Sequence, residues 1–202
     1  MTWETFLKEK LEAFERFKIF KAMVENETHM KIKCLISDNG GEFTSNEFNE
    51  FCETHGIKRQ FSAAKTPQQN GVVVRKNRTV QEATRTMLKE AKLLDSFWRE
   101  VVYTVVYTLN RGQLRVNKDK TPYELWYGRP ALVKYFKVFG SNYYIKRNKD
   151  DPRKFESMTS DGMFLGYSST KKEYRCYNKM LHKIVESADV KVDDINQGKR
   201  KN

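Results

Sequence analysis

The chain has 202 residues with 38 Lys and Arg against 26 Asp and Glu, so its formal net charge is +12. Hydrophobic residues make up 39% and aromatic residues 13%, which is enough apolar surface for a folded core and excludes wholesale disorder. No apolar run approaches the roughly 20 residues of a membrane span, and the start of the chain has no secretory apolar stretch, so we expect a soluble intracellular protein. Three scattered cysteines disfavour disulfides and a zinc site.

The first third of the chain has the pattern of an α/β sheet. Residues 2 to 7 are compatible with the end of a strand, and residues 10 to 27 have the apolar spacing of an amphipathic helix. A β-prone run over residues 31 to 37 stops at the turn Asp38-Asn-Gly-Gly41. Ser45 is predicted to cap a second helix, which Gly56 ends, and a further strand is predicted over residues 57 to 63.

The remaining elements change character near residue 121. A polar turn at residues 66 to 71 is predicted to open a helix over residues 72 to 92, and a second, apolar helix over residues 96 to 109 should be buried. A short helix follows at residues 121 to 126. Short alternating runs between residues 135 and 192 predict a small all-β module.

Asp38 is the first candidate for chemistry. It stands at the carboxyl end of a predicted strand, where open α/β sheets usually place ligands and metals. An isolated Asp-Asn-Gly is more often only a turn, so this alternative stays open on these residues alone.

Three motifs together carry a family resemblance. They are Ile36-Ser-Asp-Asn-Gly-Gly-Glu-Phe43, Thr66-Pro-Gln-Gln-Asn-Gly-Val-Val73 and Arg75-Lys-Asn-Arg78. In order and wording they resemble the integrase of copia-type LTR retrotransposons, a member of the retroviral integrase superfamily. A later set, Pro122-Tyr-Glu-Leu-Trp126, Val138-Phe-Gly140 and Gly162-Met-Phe-Leu-Gly-Tyr167, resembles the SH3-like domain that follows the catalytic core in these polyproteins.

The resemblance implies a fold and a domain order. The expected fold class is α/β: a truncated ribonuclease-H-like core with a small C-terminal SH3-like β-barrel. We expect the core at residues 1–110, a helical or loop linker at 111–134, the β module at 135–193 and a basic tail at 194–202.

The resemblance also implies a metal-dependent reaction. In the family, two Asp and one Glu hold two Mg²⁺ ions, which activate the nucleophile and stabilise charge on the scissile phosphodiester. Asp38 matches the second Asp and is a candidate catalytic and metal-binding remnant. The family's Glu falls at Val74, which offers no oxygen, and its first Asp lies on a strand upstream of the residues that match Met1. We therefore expect Mg²⁺ not to be bound productively and this chain to be inactive in strand transfer. Glu42, four residues after Asp38, is the alternative ligand, but a structural role is favoured for it.

DNA binding depends on other residues and is expected to persist without catalysis. The candidate nucleic-acid-binding residues are Gln69, Asn70, Arg75, Lys76 and Arg78, with a solvated helix face as the alternative. Eight cations give the β module a basic surface: Lys134, Lys137, Lys146, Arg147, Lys149, Arg153, Lys171 and Lys172.

The expected partners and location follow from this role. DNA is the expected partner, with an integrase homo-oligomer as a further one and no membrane. We expect nuclear residence, with the cytoplasm as the alternative. The competing function is a non-enzymatic protein-interaction or assembly module. The aromatic residues Trp98, Tyr103, Tyr107 and Trp126 are expected to belong to the core instead of forming platforms for bases.

Overall fold

The computed structural model describes residues 1–61, 67–93, 95–115, 118–146 and 159–192. Contacts divide the chain into two compact units, one of residues 5–79 and one that combines residues 1–4 with residues 80–202. We call them the inserted unit and the outer unit, because the inserted unit lies between two parts of the outer unit along the chain. Each unit is described separately.

The inserted unit contains two helices, a parallel pair of strands and the start of a long third helix. In chain order its elements are a 3-10 turn at Lys10–Glu12, α1 (Ala13–Thr28), β1 (Cys34–Ser37), a 3-10 turn at Gly41–Phe43, α2 (Asn46–Thr54) and β2 (Lys58–Phe61). Helix α3 (Pro67–Ala91) begins in this unit and ends in the outer unit. Strands β1 and β2 are parallel, with Cys34 opposite Lys58 and Ser37 opposite Phe61.

The core of the inserted unit forms where α2 meets α1 and the strands. Phe48, Cys52 and Ile57 are buried, and Phe14 and Phe17 of α1 pack against them. The amphipathic spacing of both helices places these rings on facing sides, which is why so short a sheet can be covered.

Helix α2 has the ends that its sequence predicts. The hydroxyl of Ser45 accepts a hydrogen bond from the backbone N–H of Phe48 at 3.3 Å, which satisfies one donor of the first turn. Gly56 follows with a φ of 63°, a left-handed conformation that glycine adopts without a Cβ clash. The predicted cap and the predicted end of this helix are confirmed.

The outer unit packs a helix on a five-stranded antiparallel sheet. Its elements are a 3-10 turn at Asp95–Phe97, α4 (Trp98–Gly112), α5 (Pro122–Tyr127), a 3-10 turn at Val133–Tyr135, β3 (Asn142–Lys146), β4 (Thr159–Tyr167), β5 (Tyr174–Asn178), β6 (Lys183–Ser187) and β7 (Val190–Val192). The strand order is β6-β5-β4-β3-β7. Val101 and Val105 of α4 pack with Phe139, Met163 and Leu165 to form the core.

Two polar contacts fix α4 on this sheet. The hydroxyl of Thr104 donates to the carbonyl of Leu165 at 2.8 Å, at the point where the register of β4 shifts before Gly166. Arg175 of β5 donates from Nε and Nη2 to the carboxylate of Glu100 at 3.0 and 3.1 Å. The buried face of α4 is therefore tied to two neighbouring strands.

The first residues of the chain belong to the outer unit. The backbone N–H of Thr2 donates to Oδ1 of Asn110 at 2.9 Å, and Nδ2 of Asn110 donates to the carbonyl of Thr2 at 2.7 Å. The rings of Trp3 and Trp126 meet edge to face with centroids 4.7 Å apart. These contacts hold residues 1–4 against α4 and α5.

The expected α/β class with an antiparallel C-terminal β module is confirmed, and the five-stranded sheet is consistent with an SH3-like domain. Two expectations on elements are wrong. Residues 2 to 7 form no strand; the backbone of Thr2 bonds to the side chain of Asn110 instead of to a neighbouring strand. Helix α3 begins at Pro67 instead of residue 72, since proline is well tolerated in a first helical turn. The domain bounds stay predictions. No helix among the described residues is both long and apolar enough to cross a membrane.

Candidate functional site

Asp38 lies directly after β1, in the inserted unit. Because β1 and β2 are parallel and Ser37 faces Phe61, the carboxyl ends of both strands meet at one edge of the pair. The side chain of Asp38 is exposed, and its Oδ1 accepts a hydrogen bond from the backbone N–H of Gly40 at 3.3 Å. This contact is an Asx-type turn, so the carboxylate shapes the loop and still faces solvent.

Glu42 turns its carboxylate back over the same loop. A Cβ built on Gly40 would lie 2.7 Å from Oε2 of Glu42, so glycine is what allows this close approach. Nζ of Lys10 lies 3.7 Å from Oε1, and the Glu42 side chain is 19% exposed. These contacts favour the structural role expected for Glu42.

Val74 lies on α3 with 56% of its surface exposed. A carboxylate at this exposed position would be solvated and could bind a cation. Packing therefore does not explain why valine stands there. The isopropyl group has no lone pair to give a cation. Within the described ranges, no group of three or more His, Cys, Asp or Glu side chains is arranged to hold a metal ion.

The candidate cations of α3 begin one residue after Val74. Arg75 and Arg78 are exposed and Lys76 is half-buried. Arg78 comes three positions after Arg75 and four after Val74, so all three lie on one side of the helix. Arg75 folds back over Gly71: a Cβ there would lie 3.0 Å from its Nη1. The helix backbone includes Gln69 and Asn70, whose side chains lie outside the described part of the structure.

Arg59 of β2 supports the loop edge and was not singled out by its sequence. Its guanidinium lies 4.7 Å from the ring centroids of both Phe48 and Phe61, and it donates to the carbonyl of Phe43 and, at 3.3 Å, to Oδ1 of Asn49. It therefore ties the loop after Asp38 to α2 and β2. The only signal in the sequence is an arginine within a strand beside aromatic residues.

The basic surface of the β module is described in part. Lys134, Lys171 and Lys172 are exposed and Lys137 is half-buried. Lys171 lies 3.8 Å from Glu173. The Lys146 side chain and residues Arg147, Lys149 and Arg153 lie outside the described residues.

The expectation that the aromatic residues of α4 are core residues is wrong for two of them. Trp98 is 48% and Tyr103 37% exposed. Helix α4 is less uniformly buried than its apolar sequence indicates, because it packs its valine face on β4 and leaves these rings on another side. Tyr107 and Trp126 are half-buried.

Two family models match the chain. One, described as a retroviral polymerase SH3-like domain, matches residues 141–202, and the other, described as a TnsB C-terminal domain, matches residues 2–90. Among solved structures, an HTLV-2 integrase catalytic core domain in complex with magnesium is 23% identical and covers 56% of this chain and 69% of its own, with a TM-score of 0.42. A simian T-cell lymphotropic virus intasome in complex with the PP2A regulatory subunit B56 gamma is 14% identical and covers 93% and 66%, with a TM-score of 0.47.

Curated relatives match nearly the whole chain. The retrovirus-related Pol polyprotein from transposon TNT 1-94 of Nicotiana tabacum is 39% identical over 93% of this chain, and that from transposon RE2 of Arabidopsis thaliana is 32% identical over 96%. The chain spans only 13 to 14% of the length of these relatives. They confirm the predicted retrotransposon resemblance, with which a copia type is consistent. The chain is thus a homologue of retrovirus-related Pol polyproteins from plant transposons, and its residues 141–202 match the family model described as a retroviral polymerase SH3-like domain.

Proposed function

We propose that this chain binds DNA as an integrase-like protein, within the family role of DNA integration, and does not itself catalyse metal-dependent strand transfer. The observation that carries the proposal is Val74, an exposed hydrocarbon side chain at the position of the Glu in the motif that this chain resembles.

The residues present do not fit a pair of Mg²⁺ ions. Two neighbouring hard cations repel each other and need several oxygen ligands. Of positions 38 and 74, which match metal ligands of the family, only Asp38 supplies a carboxylate. That carboxylate also accepts the N–H of Gly40. Glu42 is engaged with Lys10 and covers Gly40, which leaves it a poor replacement. No catalytic step through magnesium is therefore assigned to this chain.

The inactivity is tested with a labelled oligonucleotide duplex in Mg²⁺ or Mn²⁺. We expect no nicking or strand transfer above the buffer background, because loss of a metal ligand removes most of the charge stabilisation of the transition state. The Asp38→Asn variant is the matched control for contaminating nucleases, since it leaves the loop and the charge of other residues in place. Metal-dependent nicking that this substitution abolishes would contradict the proposal.

DNA binding is supported by the exposed cations of α3 and by the net charge of +12. Arg75 and Arg78 share a side of the helix, as phosphate contacts along one strand require. With about five phosphates contacted across the chain, the logarithm of the affinity should fall with the logarithm of the salt concentration at a slope of about −4.5.

Matched variants test which cations matter. Arg75→Gln and Arg78→Gln should each weaken duplex binding and make the salt slope shallower by about one. Arg16→Gln is the control, because Arg16 is an exposed arginine of α1 in the same unit and the change in net charge is identical. Equal weakening by all three variants would leave only a nonspecific charge effect and refute a role for α3.

A protein-interaction role is the second candidate. Ile19 and Met23 are 61% and 43% exposed, and they stand four residues apart on one side of α1. A patch of this kind favours assembly with a second copy or with an intact integrase. Mixing with active integrase should then change its oligomeric state in the absence of DNA, as measured by light scattering, and Ile19→Gln should abolish the change.

A further inference from the structure

The outer unit contains a groove that the proposed DNA contacts of α3 do not involve. It has a volume of about 540 Å³ and runs between the ends of α4 and α5, the 3-10 turn at Val133–Tyr135 and the connection from β4 to β5. We call it the tyrosine–arginine groove. Its lining includes five tyrosines, listed in chain order: Tyr107, Tyr123, Tyr135, Tyr167 and Tyr174.

The tyrosine rings are held in fixed positions. Tyr107 and Tyr167 stack with centroids 4.1 Å apart and planes 13° from parallel. The hydroxyl of Tyr167 accepts the backbone N–H of Lys137 at 2.9 Å, and burial raises the pKa of Tyr167 to about 12, so the ring stays neutral. Tyr135, in contrast, is 47% exposed at the groove: Nζ of Lys134 lies 5.3 Å from its ring centroid on one face, and the rest of the ring is accessible to a ligand.

Two guanidinium groups lie among these rings. Cζ of Arg111 lies 3.6 Å from the ring centroid of Tyr107 and 4.3 Å from that of Tyr123. Nε of Arg129 donates to the hydroxyl of Tyr123 at 3.0 Å. Among the described residues, the one hydrogen bond from the Arg111 guanidinium goes to the carbonyl of Tyr107, at 3.4 Å, and a guanidinium group has five N–H donors.

The charge of the lining is unbalanced. Among the described lining residues are four cations, Arg111, Arg129, Lys171 and Lys172, and one carboxylate, that of Glu173, which lies 3.8 Å from Lys171. None of the described carboxylates forms an ion pair with Arg111, Arg129 or Lys172. The planar guanidinium group can donate two N–H bonds to neighbouring oxygens of a phosphate, so such groups in a concave site attract this anion.

The turn that carries the lysines is ordered by a buried serine. The hydroxyl of Ser168 accepts the backbone N–H groups of Thr170 and Lys171 at 3.2 and 3.1 Å, and its own N–H donates to the carbonyl of Glu173 at 2.9 Å. Ser168 is 6% exposed. Lys171 and Lys172 are thus presented at the groove by a preformed turn.

Aromatic faces and unpaired cations in one groove are the combination that recognises a nucleotide: rings stack on a base and guanidinium groups bind the adjoining phosphate. A duplex keeps its bases stacked inside, where the rings could not reach them, so the ligand must be unpaired. The volume is in the range of small-ligand sites. We propose that the tyrosine–arginine groove binds single-stranded nucleic acid, with a base against Tyr135 and phosphate at Arg111 and Arg129.

The choice of nucleic acid over an acidic peptide follows from the ring count. The carboxylates of an acidic peptide would pair with the cations but would not stack on the exposed ring of Tyr135. A strand of unpaired nucleotides does both, since its phosphates pair with the cations and its bases stack on the ring. This site is independent of the α3 cations, so it can be tested even if duplex binding by Arg75 and Arg78 fails.

The decisive measurement is the binding of the full chain to a fluorescently labelled oligothymidylate of eight nucleotides, detected by fluorescence anisotropy. An abasic strand of the same length carries the same phosphates without bases and should bind about tenfold more weakly, because each stacked base contributes a factor of this order. Equal affinity for the two strands would overturn the proposal. This comparison needs no variant, so it does not depend on the folding of any mutant.

Variants then locate the site. Tyr135→Ala should weaken oligothymidylate binding about tenfold, whereas Tyr144→Ala, which removes a 41% exposed tyrosine of β3 outside the groove, should not. Arg129→Gln should weaken binding severalfold more than Arg115→Gln, which removes an exposed arginine outside the groove. Equal losses within either pair would refute the groove as the site. A phosphotyrosine peptide that binds more tightly than the oligonucleotide would assign the groove to a protein ligand and also overturn the proposal.

Discussion

The ion pair between Glu100 and Arg175 is the contact whose removal is expected to weaken the outer unit most clearly. Glu100 lies on the buried face of α4 with its side chain 9% exposed, and it accepts two hydrogen bonds from the guanidinium group of Arg175 on β5. The substitution Glu100→Ala removes both bonds, and among the described carboxylates it leaves the arginine with Glu186, at 3.3 Å.

The expected loss lies between two limits. Breaking a fully buried pair by removing one partner costs about 3–5 kcal/mol, whereas an exposed pair contributes about 0–1 kcal/mol. The Arg175 side chain is 28% exposed and keeps its contact with Glu186. Water and the Glu186 carboxylate therefore still stabilise the guanidinium charge after Glu100 is removed. We therefore expect Glu100→Ala to lower the free energy of unfolding of the outer unit by about 2–3 kcal/mol.

Tryptophan fluorescence during urea unfolding measures this unit selectively. All three tryptophans, Trp3, Trp98 and Trp126, belong to it. Glu186→Ala is the matched control, because it removes the other carboxylate partner of the same arginine at a 32% exposed position, and it should cost about 1 kcal/mol or less. A loss for Glu100→Ala no larger than that of Glu186→Ala would refute the reasoning.

Three further substitutions test other parts of the fold. Gly166→Ala would place a Cβ against the hydroxyl of Thr104 at a φ of 140°, so the outer unit should lose about 2–4 kcal/mol in the same urea assay, and a loss below about 1 kcal/mol would contradict this packing. The hydrogen bond from Lys21 lowers the pKa of Glu25 from 4.5 to about 2, so its ionised form stabilises the inserted unit above about pH 4.5 and this contribution disappears as the pH falls toward 2; Glu25→Gln should flatten an acid titration of helical circular dichroism in that window. Burial raises the pKa of Glu4 from 4.5 to about 7, so the folded outer unit favours the protonated acid and loses stability as the pH rises from about 4.5 to 7; Glu4→Gln should remove that decline in tryptophan-monitored unfolding, and an unchanged profile would argue against a buried carboxyl.

Features that depend on neighbours in the chain were predictable from the sequence. Short sequence patterns predict three such features: the cap at Ser45, the left-handed Gly56 and the strand that ends before Asp38. They do so because the hydrogen bonds and backbone preferences involved act within a few residues. The sequence predicts the start of α3 five residues too late, since the polar residues after Pro67 indicate a turn as readily as a first helical turn.

Features that join distant segments had no such signal. Glu100 and Arg175 are 75 residues apart, and neither lies in a motif that would pair it with the other. The sequence predicts a core position for Tyr107 and a basic surface for Lys172, and only the fold brings both to the lining of one groove. The place of Asp38 at the end of a predicted strand makes it a candidate on its own, whereas Val74 can be singled out only through the resemblance of the surrounding motifs.

The reciprocal hydrogen bonds between Thr2 and Asn110 have a consequence for how changes in the chain are tolerated. They attach the first residues of the chain to the end of α4. Residues 5–79 are therefore a long insertion between two segments of the outer unit. The entropic free-energy cost of closing such an insertion grows only with the logarithm of its length, at about 0.6 kcal/mol for each doubling. Lengthening or shortening this stretch by a few residues should therefore scarcely alter the cooperativity of the remainder, whereas deleting the first four residues detaches one of its two anchor points.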